Sequence, residues 1–99
     1  MRLYVKETTL VIKHTERRVA GVGTLTYRLC EEPGIRGEPT QYGIGIRLRG
    51  THGEEEEYVA SITTDRAFAS RLWRAIVLGR VTPCTLTDVV VDAISEVIL

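Results

Sequence analysis

Four side chains in this 99-residue chain carry the soft donor atoms of a transition-metal site: Cys30, Cys84, His14 and His52. No two of them stand at the short spacing of a zinc motif. His52 adjoins the run Glu54-Glu55-Glu56-Glu57. A lone imidazole beside mobile carboxylates gives no rigid coordination, so this segment reads as a solvated hairpin tip and no metal is expected. Cys84 is the one candidate reactive thiol. A helix opening at Pro83 would put it in the first turn, where the helix dipole lowers a thiol pKa. No His or Lys stands near it in sequence, and a semi-buried structural thiol is the simpler reading.

Gly21-Val22-Gly23 and Gly43-Ile44-Gly45 have the look of phosphate loops, but both sit inside strand patterns with no helix following. They read as strand glycines that permit twist or close backbone approach. Ser, His and Asp all occur, without a nucleophile elbow or triad signature. No catalytic residue and no cofactor is expected, and the chain reads as a non-enzyme.

Binding chemistry is better represented. Thirteen Lys+Arg balance thirteen Asp+Glu, and eleven of the basic residues are Arg. The balance hides an asymmetry: residues 1–50 carry nine basic and five acidic groups, a net +4, and residues 51–99 carry four and eight, a net −4. The second half should attract the first, or a second copy of it. Arg66, Arg71 and Arg74 share one helical segment with Trp73. Together with Val91 they form a candidate interaction surface. The arginines pair most simply with acidic groups nearby or on a second chain. Trp73 reads first as a helix-seam residue and second as a partner anchor. A helix-turn-helix is disfavoured, because the last helix carries Asp88, Asp92 and Glu96 and no Lys or Arg, which phosphates would repel.

The elements that must position these groups follow from hydrophobic period. Strand one is expected over about Leu3 to Lys13, with a phase change near Thr8-Thr9 suggesting a bulge. A turn is expected near Thr15-Glu16-Arg17. Strand two places Leu25, Tyr27 and Leu29 inward and Thr24, Thr26 and Arg28 outward. Glu31 to Pro39 reads as a long loop. Strand three points Tyr42, Ile44, Ile46 and Leu48 inward, pairing Leu29 with Tyr42 and Tyr27 with Ile44. Strand four, Glu57 to Ile62, pairs in the register that sets Ile46 against Tyr58, Arg47 against Glu57 and Arg49 against Glu55. The hairpin loop then lies near Gly50 to Glu54.

Helix one is expected from Thr63 or Thr64, with Asp65 in its first turn, an apolar stripe of Phe68, Leu72, Ala75 and Ile76, and a stop at Gly79. Helix two has two competing starts, Thr82-Pro83 and a capping box from Thr85 to Asp88. Leu86, Val89, Val90, Ala93, Ile94, Val97 and Ile98 then keep helical spacing. Their β-branched character makes burial against the sheet the force that holds the helix.

Tyr42-Gly43-Ile44 in a strand, Ile62-Thr63-Thr64-Asp65 opening a helix, Val81-Thr82-Pro83, and Leu86-Thr87-Asp88-Val89-Val90-Val91-Asp92 together resemble a family of small bacterial domains of unknown function, found mainly in Gram-positive lineages. The resemblance covers roughly the last sixty residues. It implies no catalytic or binding residue, and it favours Thr82 and Pro83 as the helix start.

The expected architecture is a single α+β domain over residues 1–99, strands over 1–62 and helices over 63–99. A three- or four-stranded antiparallel meander has two C-terminal helices packed on one face. The open face is solvated by Arg28, Arg47, Arg49, Glu55 and Glu57. The expected role is a protein–protein interaction module, with a second copy of itself as a natural partner. The alternative is a nucleic-acid accessory domain using arginines of the sheet and first helix. No apolar run approaches the ~18 residues of a membrane span, Met1 to Glu7 lacks the form of a secretory signal, and two distant cysteines suggest no disulfide framework. A reducing cytoplasm is the expected location.

Overall fold

The computed structural model describes residues 9–98, with side chains through residue 96. The expected start of strand one at Leu3, the phase change at Thr8, the terminal Leu99, and the side chains of Val97 and Ile98 lie outside the described residues. Four strands, β1 (Leu10–Val19), β2 (Gly23–Glu32), β3 (Gln41–Gly50) and β4 (Gly53–Thr63), form one antiparallel sheet in chain order. Two helices follow, α1 (Arg66–Leu78) and α2 (Leu86–Ile98), joined through a 3-10 turn at Pro83–Thr85. The fold is the α+β meander with two C-terminal helices that the hydrophobic pattern implied.

The core lies between the central strands and the helices. Leu25, Tyr27 and Leu29 of β2 and Tyr42, Ile44 and Ile46 of β3 meet Ala69, Leu72, Ile76 and Val77 of α1 and Leu86 and Val90 of α2. Burial of each large aliphatic among them contributes about 1.5–3 kcal/mol. Tyr27 is wholly buried, and its hydroxyl donates to the Val81 carbonyl at 2.9 Å. That bond ties the segment between the helices to the middle of the sheet. Val89, Ala93 and Ile94 pack against the core at half burial, so tertiary contact does hold this β-branched helix.

The helix boundaries follow from caps. Asp65 is the N-cap of α1 rather than a first-turn residue, because its carboxylate accepts from the Ala67 and Phe68 amides at 2.9 and 3.2 Å. Thr63 Oγ1 in turn accepts from the Asp65 amide at 3.0 Å. The buried stripe of α1 is Ala69, Leu72, Ile76 and Val77, and Ala75 is exposed, contrary to expectation. Gly79 ends the helix as expected. The left-handed turn beyond it is taken by Arg80, at φ 51°. Thr82 and Pro83 do begin the second helical segment, but as a 3-10 turn, and α2 proper begins at Leu86.

Three pairing expectations are corrected. Strand one continues through Arg17 to Val19, and the turn is Ala20 to Val22. Residues 13–19 alternate weakly in hydrophobicity because β1 is an edge strand whose inner face, Thr15, Arg17 and Val19, is only half-buried. Its irregularity lies between Val11 and Lys13.

Between β2 and β3, Leu29 opposes Ile44 and Tyr27 opposes Ile46, a two-residue slip from expectation. Such a slip leaves every side chain on its face, so the apolar pattern alone does not resolve it. Glu31 and Glu32 belong to β2, which shortens the loop.

Between β3 and β4 the slip is one residue: Ile46 opposes Glu57, Gly45 opposes Tyr58, Arg47 opposes Glu56 and Arg49 opposes Glu54. A two-residue turn, Thr51-His52, fixes this register. All of Glu55 to Val59 is thereby flipped relative to expectation. Beyond a bulge at Ala60 to Ile62, where Ser61 sits at φ 54°, Tyr42 opposes Thr63 rather than the expected Ile62.

Candidate functional site

The flipped β4 creates chemistry on the face away from the helices. Tyr58 lies across the two glycines of β3: a Cβ on Gly43 would strike its hydroxyl, and one on Gly45 would come within 3.1 Å of its ring. The hydroxyl donates a short hydrogen bond to Glu32 Oε2. Glu32, a buried carboxylate, also accepts at Oε1 from the Ser61 amide at 3.0 Å and the Ser61 hydroxyl at 3.2 Å. The left-handed backbone of Ser61 is what aims that amide at the carboxylate. Gly43-Ile44-Gly45, which resembled a phosphate loop, is therefore the floor under a tyrosine ring.

Cys30 completes the cluster and is buried. Burial pushes its thiol up, only partly offset by the Arg28 charge and the Tyr58 hydroxyl. Burial also pushes the Tyr58 hydroxyl up, and the Glu32 carboxylate adds to the shift. Both groups thus hold their protons at neutral pH, and the arrangement latches the β4 bulge onto β2 across β3. Sequence reasoning missed Glu32, Tyr58 and Ser61 because it put Glu32 in a loop and pointed Tyr58 inward.

Below the latch the open face is a lattice of ion pairs. Arg28 meets Glu56 at 2.6 Å, Arg47 reaches Glu54 and Glu56 at 3.5 and 3.6 Å, and Arg49 meets Glu54 at 3.1 Å. Glu54 and Glu56 take the places expected of Glu55 and Glu57, as the one-residue slip requires. Each pair is at least partly exposed and is worth about 0–1 kcal/mol.

The residues singled out as an interaction surface have these surroundings. Arg66 lies 3.6 Å from Glu31. Arg71 and Arg74 are exposed and form no ion pair among the described residues. Trp73 packs partly against the core, with Lys13 Nζ 5.9 Å from its ring centroid, so its ring meets β1, a neighbour the sequence did not point to. Its Nε1 is buried with no hydrogen-bond partner among the described residues. Val91 is exposed on α2. Cys84 is exposed rather than semi-buried. Pro83 opens a three-residue 3-10 turn, not an α-helix, and Cys84 stands in that turn 3.5 Å from Thr82 Oγ1.

The two sheet edges differ in charge. Among the described residues β1 pairs with β2 alone, and it carries Lys13, Arg17 and Arg18 against a single acid, Glu16. Among the described residues β4 pairs with β3 alone, and it opens with Glu54 to Glu57, all exposed. Tracing partners across the sheet puts Arg17, Leu25, Leu48 and Glu55 at one level, and Arg18, Thr24, Arg49 and Glu54 at the next. Lys13 and Arg17 share the helix-side face with Glu55 and Glu57. None of these four forms an ion pair among the described residues.

The stretches that carried the resemblance all have fold-defining roles here. Gly43 seats Tyr58, Asp65 caps α1, Val81 receives Tyr27, and Thr82-Pro83 opens the last turn. A comparison of the sequence with known families matches residues 6–96 to a Family of unknown function (DUF6514). The chain belongs to the DUF6514 family. The match includes β1 and β2 as well as the later segments in which the resemblance was first visible. No curated protein and no solved structure matches the chain. Membership in DUF6514 assigns no activity, and no group of His, Cys, Asp and Glu among the described residues is arranged to hold a metal ion. No described helix is long and apolar enough to cross a membrane.

Proposed function

We propose that this DUF6514 chain is a non-enzymatic protein–protein interaction module that recruits its partner along a sheet edge. The observation that carries the reading is β1: a ten-residue strand, hydrogen-bonded on one side only among the described residues, with Leu10 and Val11 more than half exposed. An unpaired edge offers a row of backbone donors and acceptors, and strand addition is the recognition mode that uses them. The basic side chains along β1 select for an acidic partner. A reducing bacterial cytoplasm suits a chain with two free cysteines.

The nucleic-acid alternative draws less support, because Arg28, Arg47 and Arg49 share the carboxylates of Glu54 and Glu56, which leaves it chiefly Arg71 and Arg74 of α1, unpaired among the described residues. Light scattering across concentration, paired with capture on immobilised chain, tests the proposal. Self-association or a captured protein whose binding weakens when Lys13 and Arg17 become Glu supports it. A monomer at every concentration that captures no protein, or tight salt-sensitive binding to nucleic acid instead, overturns it.

A further inference from the structure

The interaction reading leaves the occupant of the β1 edge open, and the charge on the two edges narrows it. We infer that the occupant is the acidic β4 edge of a second copy, joined head to tail into a continued antiparallel sheet. The inference rests on the interaction-module reading and adds the partner.

Strand polarity permits it without rotation. In the order β1-β2-β3-β4 the direction alternates, so a translated copy presents β1 antiparallel to β4 with its helices on the same side. The level at which each residue sits then sets the register. With no stagger, Arg17 of one copy faces Glu55 of the next and Arg18 faces Glu54. Lys13 and Arg17 flank Glu57 diagonally on the helix side, within reach of long side chains. Charged edges ordinarily keep sheets apart. Two β1 edges, or two β4 edges, would repel in that way. The unlike edges of two copies attract, so the same charges that forbid symmetric pairing select head-to-tail pairing. Such a contact is heterologous and does not close after one step. The chain therefore forms a graded series of oligomers rather than a discrete dimer.

Charge-swap complementation tests this by sedimentation velocity. One variant carries Lys13→Glu and Arg17→Glu; the other carries Glu55→Lys and Glu57→Lys. The wild type should show a concentration-dependent series that collapses near 1 M salt, where the screening length is about 3 Å. Each variant alone should associate about tenfold more weakly or worse. Their equimolar mixture should recover association, since each then offers an edge that complements the other. The salt dependence of the wild type reads the same claim should either variant fail to fold.

Association that is unchanged in both variants and at high salt overturns the inference and leaves the module reading standing on another surface. A monomeric wild type that still binds oligo-glutamate through β1 overturns the second-copy occupant alone. A monomeric wild type that binds neither overturns both.

Discussion

Tyr58 and Glu32 bind the edge strand β4 to the middle of the sheet with one hydrogen bond, and Ser61 adds two more. Tyr58→Phe removes a donor from a buried carboxylate and should cost about 1–3 kcal/mol in urea unfolding. Ser61→Ala keeps the backbone donor and should cost less. Gly43→Ala drives a methyl into the Tyr58 hydroxyl and the Glu32 carboxylate, at about 1–3 kcal/mol. Combined with Tyr58→Ala its cost should be sub-additive in a double-mutant cycle, because the nearest group it strikes is gone and only the Glu32 carboxylate remains in its way.

The same cluster sets an alkaline limit. Cys30 and Tyr58 both bind their protons more tightly folded than unfolded. Their contribution is complete below the unfolded values of 9.0 and 10.0 and drains away as pH rises past them. The denaturation midpoint should hold level to about pH 9 and then fall. Tyr58→Phe should flatten the part of that fall above pH 10; an unchanged profile would exclude Tyr58 as its source.

At the scale of elements, the helices answer to their caps. Asp65→Ala removes the acceptor for two amides of α1 and should lower stability by about 1 kcal/mol. Guanidinium unfolding measures it, and Asp65→Asn should recover most of the loss.

The strands show what a sequence makes legible. Faces of β2 and β3 were readable, because Leu25, Tyr27, Leu29, Tyr42, Ile44 and Ile46 alternate strictly and all are buried. Register was not. A two-residue slip between β2 and β3 leaves the apolar faces unchanged. The one-residue slip at β4 was decided by the Thr51-His52 turn and by Tyr58 finding Glu32, a contact between residues 26 apart in sequence. Pairing Ile46 with Tyr58 looked better by apolar matching, yet it would have left Glu32 without that donor. The latch was illegible for the same reason: it exists only once the flip has occurred. Cys84 was not readable as exposed, because the 3-10 turn ahead of α2 has no sequence signature separate from a helix start.

The whole molecule is a half-covered sheet. Helices shield one face, ion pairs and the Tyr58 latch occupy the other, and the two edges remain, basic at β1 and acidic at β4. The −4 of the second half of the sequence thus falls on the β4 border, and half of the first half's +4 falls on the β1 border. That separation is the physical basis for reading the chain as a module whose partner is an acidic strand, and for placing that strand on a second copy.

Amide hydrogen exchange on the wild-type chain at micromolar and near-millimolar concentrations measures this most directly. The account predicts that amides of Lys13 to Arg18 and Glu54 to Glu57 not bonded within the sheet become protected as concentration rises. They should lose that protection at high salt, while β2 and β3 stay unchanged. Edge amides that exchange at one rate at every concentration would contradict it.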